Sequence, residues 1–170
     1  AGQTVANLVT VQVPDDGLVS FFNAVGTTQV IADVVGWYGP SDERGGRFIP
    51  VTPTRIVDSR PSRPIAGGES RLIQVAGRGI APIVPAADVE AVALNVTAVS
   101  PTAAGYLTVY PDDDCQGPPF ASNVNFTAGA VVPNMVLSDL GWHPSCSQRG
   151  SVEIYNPVGS THVLVDVFGW

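Results

Sequence analysis

Residues 150–170 read GSVEIYNPVGSTHVLVDVFGW, and residues 17–37 read GLVSFFNAVGTTQVIADVVGW. Eleven of these 21 positions are identical without a gap: Gly17, Val19, Asn23, Val25, Gly26, Thr28, Val30, Asp33, Val34, Gly36 and Trp37 recur as Gly150, Val152, Asn156, Val158, Gly159, Thr161, Val163, Asp166, Val167, Gly169 and Trp170. The likeness extends upstream, where AGQTVANLV at 1–9 faces AGAVVPNMV at 128–136. The offset grows from 127 (Ala1 to Ala128) to 133 (Gly17 to Gly150), so the second copy holds a six-residue insertion, which contains Cys146. Self-similarity of this kind is the mark of a repeat array. It points to a scaffold or binding module before it points to an enzyme. The chain is expected to begin part-way through one repeat unit and then run through a whole one.

The repeated stretch also sets the fold class. Val30, Ala32 and Val34 alternate with Ile31, Asp33 and Val35, which is the period of a strand. Similar short runs of Val, Ile, Thr, Tyr and Phe recur, cut by Gly, Pro, Asn and Asp. They predict strands near 5–13, 18–23, 28–37, 54–59, 70–76, 90–99, 105–110, 121–126, 131–139, 151–156 and 161–168. Asn23-Ala-Val-Gly26 and Asn156-Pro-Val-Gly159 supply residues that tolerate positive φ, as tight hairpin loops require. Each copy therefore reads as a three-stranded meander ending in D-V-x-G-W, with the glycine letting the strand bend as it leaves the sheet. The helix-like PAADVEAVAL at 85–94 runs straight into Asn95-Val-Thr97, so a strand is expected there too. The expected fold is all-β: an antiparallel, jelly-roll-like β-sandwich with about eight strands per complete unit. The charged, Gly-rich run GPSDERGGRFIP at 39–50 divides the chain. The expected organisation is a partial repeat unit at 1–38, a linker at 39–47 and a complete sandwich at 48–170.

Composition narrows the function. Apolar residues make up 45% and mean hydropathy is +0.22, so a core can be filled, while charged residues are only 14%. All eight basic residues are Arg, and the net charge is −7. An acidic chain is a poor match for nucleic acid, where basic contacts to phosphate dominate. No apolar run is long enough to span a membrane as a helix. No signal peptide is evident, and the natural N-terminal region is expected to lie outside this sequence. Cys115 and Cys146 both fall in polar, turn-rich loops, PDDDCQGPP and HPSCSQRG. In a Val- and Thr-rich chain this points to a Cys115–Cys146 disulfide and an oxidising, extracellular setting.

One set of motifs resembles a known module. Thr52-Pro-Thr-Arg-Ile-Val-Asp-Ser-Arg60, Val75-Ala-Gly-Arg-Gly79, Ala91-Val-Ala-Leu-Asn-Val-Thr97, Pro101-Thr-Ala-Ala-Gly-Tyr-Leu-Thr-Val-Tyr-Pro111, Ser122-Asn-Val-Asn-Phe126 and the two D-V-x-G-W endings follow one another in order. Together they resemble a tandem β-repeat module of secreted and cell-surface proteins of actinobacteria. The resemblance implies an extracellular all-β accessory unit, found in tandem and often beside secreted hydrolases. It implies no catalytic residue and no established ligand.

The candidate polar residues read mainly as structural. Arg55 and Asp58 flank an apolar Ile-Val pair, where an arginine–carboxylate fork can brace the sandwich or grip a ligand, with the structural role favoured. Asp33 and Asp166 hold equivalent places inside apolar strands, so each needs a partner: a backbone N–H, an arginine or a threonine hydroxyl. His162 faces Gln29 in the other copy, so the position works without an imidazole. His143 and Trp142 lie in the inserted loop and are the candidate solvent-facing ligand contacts. The two histidines lack metal-ligand spacing, and no G-x-S-x-G occurs. Asp112, Asp113 and Asp114 lack the alternation of a calcium loop and read as a solvated acidic turn. Asn95-Val-Thr97 and Asn125-Phe-Thr127 fit the glycan-acceptor pattern but fall inside expected strands. No metal, no cofactor and no catalytic residue are expected.

The expected function is therefore a non-catalytic structural or adhesive module, secreted or at the cell surface, serving as a subunit of a surface layer or filament. Its expected partners are other copies of the same repeat or chain. The alternative is a carbohydrate-binding accessory module of a secreted hydrolase, with a polysaccharide as partner.

Overall fold

In the computed structural model the described residues are 4–9, 11, 13–37, 47–78, 83–111, 115, 117–141 and 149–170. Among them there are nine strands and no helix: β1 (Pro50–Asp58), β2 (Ile65–Ala66), β3 (Glu69–Gln74), β4 (Ala91–Val99), β5 (Gly105–Tyr110), β6 (Val124–Phe126), β7 (Val131–Asp139), β8 (Ser151–Asn156) and β9 (Ser160–Gly169). They form two antiparallel sheets. One runs β1-β9-β4-β7, with the short β2 also paired to β9; the other runs β3-β8-β5-β6. The three-stranded meander expected at the end of the chain does not form: β7 pairs with β4, β8 lies in the other sheet, and β9 pairs with β1, β2 and β4, so the repeated sequence crosses from one layer to the other instead of folding back on itself.

Alternation explains the packing. Val163, Val165 and Val167 of β9 point inward and are fully buried, as are Val152 and Ile154 of β8. They meet Leu94 and Val96 from β4, Leu107 and Val109 from β5, and Phe126 from β6. Branched side chains suit this pleated, doubly covered interior because they lose little rotamer freedom on packing. The strands expected from sequence between residues 54 and 168 all form, and β5, β7 and β8 occupy the expected ranges. The stretch expected at 121–126 is a strand only over 124–126. β2 has no counterpart among the expected strands, because two residues between Pro64 and Gly67 carry no periodic signal; Ile65 is nevertheless fully buried.

Two further expectations change. The sequence predicts strands at 5–13, 18–23 and 28–37, but among the described residues none before Pro50 is in a strand. The physical reason is burial. A three-stranded apolar meander is marginal unless a second layer covers it. Here the inner face of the sandwich is already filled by β7, β8 and β9. The glycine before the final tryptophan is also not a bend. Gly169 stays in the ladder, opposite Pro50 and Ala93. A Cβ there would collide with the Phe48 ring, so glycine is needed for close approach. Phe48 and Ile49 thus belong to the sandwich: Ile49 N–H donates to the Trp170 carbonyl at 2.6 Å, and Trp170 N–H donates back at 3.1 Å.

Candidate functional site

The β1–β9 ladder carries three of the polar residues singled out above, Arg55, Asp58 and Asp166. Strand register builds one transverse row from Arg55, Asp166, Asn95 and Met135. A neighbouring row runs through Asp58, Leu164, Thr97 and Pro133. Arg55 does not pair with its sequence neighbour Asp58. Its Nε donates to Asp166 Oδ1 at 2.8 Å and its Nη2 to Asp166 Oδ2 at 2.9 Å, a planar fork between strands 111 residues apart in sequence. That bond raises the Arg55 pKa still further. Asp166 has thus found an arginine, one of the three partners expected for it. Asp58 is taken by Arg60 instead, through side-chain bonds of 2.9 and 2.6 Å and the Arg60 N–H at 3.0 Å. Asp33, the counterpart of Asp166, has no ion-pair partner among the described residues.

A second carboxylate anchors the β2–β3 turn. Glu69 accepts from Arg63 Nη1 at 2.7 Å and from the Ala66 N–H at 2.9 Å, and Arg71 stands 3.4 Å from its other oxygen. The Arg63 bond, with help from the Ala66 N–H, holds Glu69 at about 2, below its ordinary 4.5. Arg60 likewise holds Asp58 at about 2, below 3.8. Both folded-state values are depressed, so the folded chain binds fewer protons than the unfolded chain between pH ~4.5 and ~2. Their stabilisation is complete above the ordinary carboxylate range and is lost as pH falls through that window. The melting temperature should therefore drop between pH ~5 and ~2, and Glu69→Gln should flatten part of that drop when melts are followed by circular dichroism across the range.

Two groupings were not legible in the sequence. Ser59 Oγ lies 3.2 Å from His162 Nδ1, which superficially matches a nucleophile and its base. The same Nδ1 lies 2.9 Å from the Ser59 carbonyl, which can only accept, so Nδ1 carries the proton and donates it there. Ser59 Oγ accepts the Val163 N–H at 2.8 Å, and Ser59 is buried. The pair pins the end of β1 to β9, and its hydroxyl is not presented to a substrate. No local motif could reveal it, because register alone joins the two residues.

The second grouping is an open groove of about 530 Å³ at one end of the sandwich. Asp88, Glu90, Asp139 and Arg149 are among the residues that line it, with the small residues Ala76, Ala86 and Gly150. Asp88 holds φ 61, a left-handed conformation that Asp tolerates better than most residues. The Leu140 N–H bond to the Glu90 carbonyl, 2.7 Å, ties the two flanking segments together. Three carboxylates and one guanidinium can hydrogen-bond a polar ligand from several sides. Among the described residues no group of His, Cys, Asp or Glu is arranged to hold a metal ion. No described helix is long and apolar enough to cross a membrane.

Trp142, His143, Cys146 and Asp112, Asp113 and Asp114 lie outside the described residues. Cys115 is described, with φ 60. Asn95 and Asn125 sit in β4 and β6, as expected of strand residues. In comparisons with known proteins, no protein-family model, no curated protein and no solved structure matches this chain.

Proposed function

We propose that this chain is a non-catalytic structural or adhesive repeat module of the extracellular space or cell surface, a subunit of a layer or filament that associates with other copies of itself. One observation carries the reading. The duplicated segment 17–37 lies with its apolar residues in solvent: Phe22 is 92% exposed, Val34 91% and Trp37 71%. Soluble proteins seldom leave so many large apolar side chains in solvent unless they meet a partner. The resemblance to tandem modules of secreted actinobacterial proteins supports the same reading, as does the low charge content. We include a Cys115–Cys146 disulfide, supported by the fact that Cys115 is not a free thiol.

The test compares the full chain with residues 47–170. By sedimentation velocity and negative-stain electron microscopy, the full chain should associate. The shorter chain should be monomeric, with a nearly unchanged melting temperature. A full chain that stays monomeric at high concentration sinks the proposal. Peptides from the same material, digested without reductant, should include a Cys115–Cys146 cross-link; two free thiols would remove the disulfide from it.

A carbohydrate-binding reading stands second, and the groove of Asp88, Glu90, Asp139 and Arg149 favours it. It ranks lower because none of the described residues lining that groove is aromatic, whereas sugar-binding clefts commonly stack the ligand on a ring. Retention of residues 47–170 on an insoluble polysaccharide, abolished by Asp139→Asn with Glu90→Gln, would reverse the ranking.

A further inference from the structure

The exposed segment is more than an apolar patch, because its duplicate shows what covers such a sequence. Val152, Ile154, Val163, Val165 and Val167 are the inward, fully buried positions of β8 and β9. The segment places Val19, Phe21, Val30, Ala32 and Val34 at those same positions. Every buried apolar position thus remains apolar in a stretch that buries none of them. Upstream, Val9 matches Val136, a buried residue of β7.

The turns agree as well. Gly17 and Gly150 hold φ 73 and 80, and Gly26 and Gly159 hold φ 71 and 66. Asn23 Nδ2 donates to the Gly26 carbonyl at 3.0 Å, as Asn156 Nδ2 does to Gly159 at 3.5 Å. The segment therefore already has the turn conformations of β8–β9 while lacking its strand partners. In the sandwich those partners are β1, β2, β3, β4 and β5. The described residues hold a single set of them, and β8 and β9 occupy it. The polar positions tell the same story. Asp166 is forked by Arg55 of β1, while its counterpart Asp33 has no ion-pair partner among the described residues.

We infer that residues 4–37 are the β7–β9 portion of a second sandwich, and that they dock on another β1–β6 half-sandwich of this same architecture, with Asp33 taking an arginine at the position of Arg55. The inference goes beyond the assembly reading above: β8 and β9 already fill β1–β5 in the described sandwich, so the half-sandwich that takes residues 4–37 is one whose own β7–β9 place is empty. Phe21 and Val34 then enter the core, and Trp37 closes the sheet end as Trp170 does, half-buried against the core.

The test joins a second copy of residues 47–127 ahead of residue 1 of the full chain. The original sandwich is left intact, so the measurement can be made whether or not the added half folds alone. Hydrogen exchange of residues 18–37 should slow roughly tenfold or more, toward that of 151–170, and Trp37 emission should shift to the blue. Asp33→Arg in the joined chain should reverse the protection, and Arg55→Asp in the added half alone should restore it. The inference is overturned if residues 18–37 exchange as fast with the added half as without it. It is equally overturned if protection appears but is insensitive to Asp33→Arg, or is not restored by the swap, since the register would then be wrong. Self-association of the unmodified full chain is read separately, so either idea can fail without the other.

Discussion

Ile154→Ala should lower the stability of the sandwich by about 3–4 kcal/mol, whereas Phe21→Ala, at the same place in the duplicated sequence, should leave it unchanged. Ile154 is fully buried at the middle of β8, where it pairs with Arg71 on one side and Val109 on the other. Removing three carbons there forfeits their transfer from water and leaves a cavity that flanking strands cannot fill, because ladders on both sides fix the backbone. Phe21 is 69% exposed and has no such surroundings to lose. Urea and thermal melts of the two variants in the full chain would check this. The Ile154 variant should melt roughly 10 °C or more below the parent. Equal destabilisation by both would mean that the first copy is packed into a core after all.

Gly150→Ala should cost about 3 kcal/mol, and Gly17→Ala should not change the melting temperature. Gly150 holds φ 80, where an L side chain is strained, and a Cβ would come 2.5 Å from Ala76 Cβ. The backbone cannot retreat. The Gly150 carbonyl accepts the Val75 N–H at 3.0 Å and the Ala76 N–H at 2.9 Å, tying the start of β8 to the end of β3. Gly17 has nearly the same φ, 73, but a methyl added there would meet nothing within 4 Å. Its strain falls on a turn outside the sandwich. Calorimetry of the two variants separates the outcomes. A mild Gly150→Ala would show that the β3–β8 junction yields more easily than its hydrogen bonds imply.

Much of the fold was legible in local sequence because strand formation leaves a period of two. β4, β5, β7, β8 and β9 could be read from alternating Val, Ile and Leu bounded by Gly, Pro and Asn. The N-x-x-G turns could be read for the same reason, since a positive φ is a local requirement that few residues meet. These features survive even where no strand forms, as the matching turn conformations at Gly26 and Gly159 show.

The rest depended on how distant strands came together. The same pattern is two strands, one in each sheet, at 151–169 and irregular, exposed chain at 17–37, because strand preference is mostly a preference for a covered, pleated surface, and the described residues offer one such surface to fill. The polar groupings were also beyond reach. Arg55 could be read as needing a carboxylate, but that it takes Asp166 and leaves Asp58 to Arg60 follows from the β1–β9 register. Ser59 and His162 meet by that same register, and the groove joins side chains from segments near residues 88, 139 and 149. Local sequence set which residues could alternate, turn and seek a partner. Long-range pairing set which partner each one found, because contacts between distant strands leave no periodic trace along the chain.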